Sequence, residues 1–301
     1  MRHRLISILF LATLLVLASR GSGVLQAADS QRNFVVLYEC FDNSSGVKDT
    51  VEYIFNDMLG PDDLLIIYSP VRLYSFSKTT LARPKAELIS MMKEKLRGDA
   101  SKAAQDYKEV IKEMASGVRT IESMVLGEES SAPGDEGSTR DLRNLFMLYR
   151  QALGNLSQLR KVNEAALRQI GELFRKQRGQ NHIILLFERE FRPIPNRDAL
   201  NVLHDMPIFG AQANELFASD NLKAPFAADA IGEFFKQVPL TLHFLYIKSD
   251  RNSTTGAILE NSADVYAAFS KIAKITGGVC ETITEPVAGL KSIMTALKEA
   301  K

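Results

Sequence analysis

The chain has 301 residues, of which 46% are hydrophobic, and its 37 Lys and Arg against 36 Asp and Glu leave a formal charge of +1. That balance gives no electrostatic basis for nucleic acid or an anionic membrane as the main partner, and nucleic acid is set aside. The apolar content suffices for one globular domain with an elaboration, or for two small domains.

Taken in order, the chain opens with Arg2, His3 and Arg4, an apolar stretch of fourteen residues from Leu5 to Ala18, and a small and polar region ending Leu25-Gln26-Ala27-Ala28. This is the layout of a secretory signal peptide. Fourteen helical residues rise only about 21 Å, short of the ~30 Å hydrocarbon layer. Residues 1–28 are therefore expected to be removed, leaving an exported mature chain, periplasmic or extracellular, with no stable membrane anchor.

Phe34-Val35-Val36-Leu37-Tyr38 is a continuous β-prone run that stops at the polar cluster Glu39 to Gly46. Apolar residues then recur at helical spacing from Val47 to Leu59, Gly60-Pro61-Asp62-Asp63 breaks the pattern, and Leu64 to Tyr68 is a second apolar run. The sequence predicts a βαβ unit, and strands without polar alternation predict a parallel sheet covered on both faces. A short hairpin strand is expected around Val71 to Phe76.

From Pro84 a long amphipathic pattern runs to Val125, and a second runs from Leu142 to Phe174. Between them residues 127–139, rich in Gly, Ser, acid and Pro, lack periodicity. The pair predicts an antiparallel helical hairpin over about 85–178, each stripe burying the other: a projecting arm, since it exceeds what strands of five or six residues can use as cover, with enlarged covering helices of the α/β domain as the alternative. His182 to Phe187 is the next buried strand, and Arg192-Pro193-Ile194-Pro195 argues against regular structure after it. Helices are expected near Asp198 to His204, from Ala227 to Gln237, from Ser262 to Ile275 and from Val287 to Lys298. Strands are expected over Leu240 to Ile247 and Val279 to Ile283.

The stretches "NFVVLYECFDNSSG", "GPDDLLIIYSP", "QNHIILLFERE" and "AFSKIAKITGGVCETI" fall in an order that resembles a von Willebrand factor type A domain over roughly Asn33 to Ala300. The resemblance implies a doubly wound α/β fold with a mainly parallel six-stranded sheet of order 3-2-1-4-5-6, here carrying the long hairpin within residues 29–301. It also implies that Cys40 and Cys280 lie on strands about 14 Å apart, beyond the ~7 Å reach of a disulfide, so both are expected as free, buried thiols.

Type A domains commonly bind a divalent cation at the carboxyl ends of the central strands, through an Asp-x-Ser-x-Ser pattern and a later Asp. Here those positions read Glu39, Phe41 and Asn43, with Asp42 and Ser44 in a shifted frame and Glu188 after the fourth strand. A longer carboxylate spoils a geometry set by Asp, so no cofactor is expected; magnesium or calcium on an oxygen cluster of Glu39, Asp42, Ser44 and Glu188 is the alternative. The binding face is expected at Glu39, Asp42, Asn43, Ser44 and Glu188. His182, His204 and His243 are isolated in sequence, and no catalytic motif is present. The chain therefore reads as a non-enzymatic protein-binding or scaffolding protein whose partner is another protein. The alternatives are a metal-dependent adhesin with a rearranged site and a hydrolase with an unrecognised one.

Overall fold

The structure, a computed structural model, describes residues 31–40, 44–127, 136–159, 163–217, 227–248 and 257–299. The first apolar run forms β1 (Arg32–Glu39), followed by α1 (Ser44–Tyr53) with a π-helical turn at Ile54–Met58, then β2 (Leu64–Tyr68) and β3 (Leu73–Phe76). The helical middle comprises α2 (Lys78–Leu81), α3 (Lys85–Leu126), α4 (Glu136–Leu159) and α5 (Glu164–Lys176). Next come β4 (Gln180–Glu188), β5 (Phe191–Ile194), α6 (Arg197–Asp205), α7 (Gly210–Phe217) and α8 (Ala228–Lys236). The chain ends in β6 (Thr241–Ile247), β7 (Ala257–Glu260), α9 (Ala263–Ile275), β8 (Cys280–Ile283) and α10 (Pro286–Glu299).

Six strands make one sheet in the order β3-β2-β1-β4-β6-β8, with only β3 antiparallel. Alternation along each strand divides the apolar side chains between two cores. Phe34, Val36 and Tyr38 of β1 join Ile184, Leu186 and Leu245 beneath α1, the first turns of α3, and α10. Val35, Leu37, Ile183 and Phe244 join α5, α8 and α9 on the other face. Burial on both faces is why these strands read as unbroken apolar runs. The backbone approaches itself closely where β4 begins: Gly179 has φ of +95°, and a Cβ there would stand 2.2 Å from the Gln31 carbonyl oxygen.

The path of α3 follows from its polar contacts. Lys85 Nζ donates to the Asn56 carbonyl (3.2 Å) at the end of the α1 unit, beside the amino ends of the parallel strands. Asp99 lies beside the turn that leaves the carboxyl end of β2. Its buried carboxylate accepts from Ser69 Oγ (2.6 Å), Tyr74 Oη (2.6 Å) and Arg72 Nε (3.0 Å). Gly98-Asp99 is thus an anchored point on an unbroken helix, and Ala100–Leu126 continues about 40 Å beyond it. Val118, Ile121 and Val125 of that extension pack against Leu142, Phe146 and Tyr149 of α4.

Three local expectations are corrected. The second long helix is two: Asn163 caps α5, its Oδ1 accepting from the Ala166 amide at 3.0 Å, and α5 covers the sheet while α4 pairs with α3. The α3 and α4 stripes do not bury each other alone, because Leu203 of α6 and Phe209, Leu216 and Phe217 at α7 complete their core. Cys40 and Cys280 are both free, but Cys280 is exposed on the edge strand β8.

The segment around Pro193 is also regular: β5 pairs antiparallel with β7, Pro193 opposite Ile258. A two-stranded ribbon has only edge strands, where a missing amide is tolerated. Two carbonyls of β5 accept hydrogen bonds from the long helices, Phe191 from Tyr107 Oη (3.0 Å) and Pro193 from Tyr149 Oη (2.8 Å). Tyr149 is buried beside the Arg192 guanidinium. Burial outweighs that cation and pushes the phenol up to about 12, so it remains a donor. Tyr149→Phe leaves the Pro193 carbonyl unsatisfied and should lower unfolding stability by about 1–3 kcal/mol in urea titrations. An unchanged midpoint would show that the bond carries no stability.

Candidate functional site at the carboxyl ends of the strands

The chain winds from β1 toward β2 in one direction and from β4 toward β6 in the other, so the carboxyl ends of β1 and β4 flank the switch point where open α/β sheets place ligands. Glu39 and Glu188 both reach this rim. Glu39 pairs in register with Phe187, which gives it the parity of the α5–α8–α9 face. Glu188 has the opposite parity, that of Leu186, and is buried near Tyr38 and Cys40. The register therefore brings the two carboxylates to one rim but to opposite faces of it. Ser44 opens α1, and Asp42 and Asn43 lie outside the described residues.

Burial pushes the Cys40 thiol well up, and the nearby Glu188 and Glu39 carboxylates push it further. Its Sγ is directed at the Leu186 carbonyl oxygen, 3.6 Å away. A thiol so placed stays protonated and is a poor nucleophile. Tyr38 is likewise raised, first by burial and then by Cys40 and Glu188.

The same rim holds a network that the sequence did not announce. Arg189 pairs with Glu260 and stacks over the Phe191 ring at 4.8 Å. Tyr246 Oη donates to Glu260 Oε1 at 2.6 Å and lies 2.5 Å from Ser262 Oγ, which accepts from the Glu190 amide at 3.0 Å. With the phenolic proton committed to Glu260, the Ser262 hydroxyl donates to Tyr246. Burial works against ionisation of Glu260, but hydrogen bonds from Arg189 and Tyr246 outweigh it and hold the carboxyl below its ordinary range. The groups of this network are committed to each other. Among the described residues no three His, Cys, Asp or Glu are gathered to hold a metal ion. Glu39 and Glu188 have opposite parities at this rim, and Asp42, the other carboxylate of the expected oxygen cluster, lies outside the described residues.

The histidines are not isolated in space. His182 and His243 lie on the sheet face shared with Phe34 and Leu245, with His243 Nε2 3.3 Å from His182 Nδ1. His243 Nδ1 accepts from the Val279 amide at 3.1 Å, so Nε2 carries the proton and donates to His182. That leaves His182 protonated on Nε2, a buried nitrogen with no partner among the described residues. Burial lowers His182 to about 4, with Arg32 acting in the same direction and Asp63 against it; burial and then His182 lower His243 to about 3. Both rings are neutral at pH 7, and His182 lies at the amino-end half of β4, away from the rim.

The histidine pair makes stability depend on pH. Both groups bind protons in the unfolded chain at an ordinary value of 6.5 but not in the folded one until about 4 and 3. Their contribution is complete above 6.5 and is lost as pH falls, by up to about 3 kcal/mol per pH unit for the pair. Urea titrations between pH 6.5 and 5, where carboxylates still titrate little, should show this slope, and His182→Phe with His243→Leu should remove most of it. A wild type equally stable at pH 6.5 and 5 would contradict neutral buried rings. No protein-family model matches the chain, and no curated protein matches it.

Proposed function

We propose that the mature chain is an exported, non-enzymatic protein-binding or scaffolding domain of the von Willebrand factor type A kind. It binds another protein through the polar rim at the carboxyl ends of β1 and β4 and through the helical arm formed by α3 and α4. The observation that carries this reading is the path of α3, which passes the carboxyl end of β2 at Asp99 and runs about 40 Å further on the rim's side of the sheet. A helix that only covered the sheet has no need of that length. The strand order with its single antiparallel edge strand is the arrangement the resemblance implied, and the arm is then a long insertion between the third and fourth strands.

The chemistry of the rim supports binding over catalysis. Its tyrosines and its cysteine are held protonated, and Arg189 and Glu260 neutralise each other. Export rests on the leader-like residues 1–28, which lie outside the described residues; no helix among the described residues is long and apolar enough to cross a membrane.

Mature protein immobilised on resin should retain a specific protein from extract of the native host. Charge reversal at Glu39 with Asp42→Arg should abolish retention while leaving the melting temperature unchanged. That temperature should also be the same in calcium, in magnesium and in chelator. A cation-dependent rise would overturn this reading in favour of a metal-dependent adhesin, and retention indifferent to the rim charges would remove the rim from the binding surface.

A further inference from the structure

His243 ties the last part of the chain to the sheet. Its Nδ1 accepts from the amide of Val279, the residue before β8, and its Nε2 donates to His182 Nδ1. Both acceptor nitrogens of the pair are therefore occupied, and both Nε2 atoms already carry protons. A further proton can enter only where one of these hydrogen bonds breaks: on His182 it opposes the His243 donor, and on His243 it expels the Val279 amide.

Nothing around the pair stabilises a charged ring in place. Arg32 and Asp63, at the amino ends of β1 and β2, are paired with each other. The helical cover of this face is apolar, with Ile54 and Met58 from the α1 unit, Leu88 and Met92 from α3, and Ile293 and Met294 from α10. Gly289 of α10 packs on Leu245, two residues beyond His243 on the same face. Because α10 returns from the carboxyl end of β8, its next turn, at Ile293, comes level with His243.

Of the elements over the pair, β8 and α10 are the most weakly tethered. β1, β4 and β6 each have a strand on both sides, whereas β8 pairs only with β6, through four residues from Cys280 to Ile283. The chain enters β8 through Gly277-Gly278, with Gly277 at φ of +71°, and α10 follows directly. Glu281 of β8 accepts from Ser292 of α10, a bond internal to the two elements that moves with them. We propose that residues 279–299 are an acid-released flap: protonation of His243 breaks its bond to the Val279 amide, and β8 and α10 swing away on Gly277-Gly278. Opening lets the imidazolium reach water and uncovers the edge of β6 and the apolar side chains beneath α10. The device is independent of the rim and of the partner bound there.

Hydrogen exchange of the protein at pH 7, 6 and 5, corrected for the intrinsic pH dependence of exchange, tests it. Releasing one histidine of ordinary value 6.5 should make opening of the peptides over 279–299 about 25-fold easier at pH 5 than at pH 7. Sheet peptides around Val35 and Ile184 should stay more protected than the flap at every pH. His243→Asn keeps an acceptor oxygen near the Nδ1 position and does not titrate, so it should remove the change. His182→Phe leaves His243 and its bond to Val279 in place and should retain it. Flap opening that is the same at pH 7 and 5, a flap no less protected than the sheet at pH 5, a change that survives His243→Asn, or one lost in His182→Phe would each overturn the proposal.

Discussion

Two carbonyl oxygens on one short strand tie the molecule's parts together. Phe191 and Pro193 of β5 turn their oxygens toward the helical arm, where the hydroxyls of Tyr107 on α3 and Tyr149 on α4 reach them. The other side of β5 is taken by β7, and β7 ends in Glu260, the residue that holds Arg189 and Tyr246 on the rim. One ribbon therefore links the arm to the carboxyl ends of the central strands. The side chain between the two carbonyls, Arg192, is 1% exposed and donates to the Leu216 carbonyl of α7 at 2.9 Å, so the link extends to the helices that close the arm's core. A buried guanidinium is costly unless its donors are satisfied, which requires α7 and Tyr149 to keep their positions relative to β5.

This coupling changes what the arm is. A helical pair standing on its own would be a lever free to bend at its base. Here α3 is clamped at the sheet by Asp99, and farther along it shares a core with α4, α6 and α7. A surface carried by such a unit is pre-organised, and a partner bound there loses less to ordering than one bound by flexible loops. The rim is built in the same manner, with ionisable groups paired among themselves, a state suited to a fixed recognition surface and poorly suited to proton transfer.

The central sheet was legible because its strands are buried on both faces: the runs at Phe34, Leu64, His182 and Leu240 have no polar alternation, and their order along the chain fits a single doubly wound arrangement. The ribbon was not legible, since Pro193 argues against a strand and a four-residue edge strand such as Ala257–Glu260 leaves little periodicity. Without β7 the Arg189–Glu260–Tyr246 network has no sequence signature. The histidines were half legible: each lies in an apolar run, but their adjacency depends on a register, His243 opposite Ile184, that only strand pairing supplies. The split between α4 and α5 was hidden because apolar spacing continues from Leu156 through Leu159 to Ala166; the cap at Asn163 was the available sign. Glu39 and Glu188 close the apolar runs of β1 and β4 and so stand at the ends of neighbouring strands, while their opposite parity required the register.

Hydrogen exchange read by mass spectrometry on the protein tests the central claim that arm, ribbon and closing helices form one rigid unit. Peptides spanning Tyr107–Val125, Leu142–Leu156, Phe191–Ile194 and Leu203–Phe217 should exchange with a common opening free energy, close to that of the sheet peptides around Val35 and Ile184. If Tyr107–Val125 exchanges within seconds while β5 and the sheet stay protected, the arm is a loosely attached extension and the coupling through Tyr107, Tyr149 and Arg192 is contradicted.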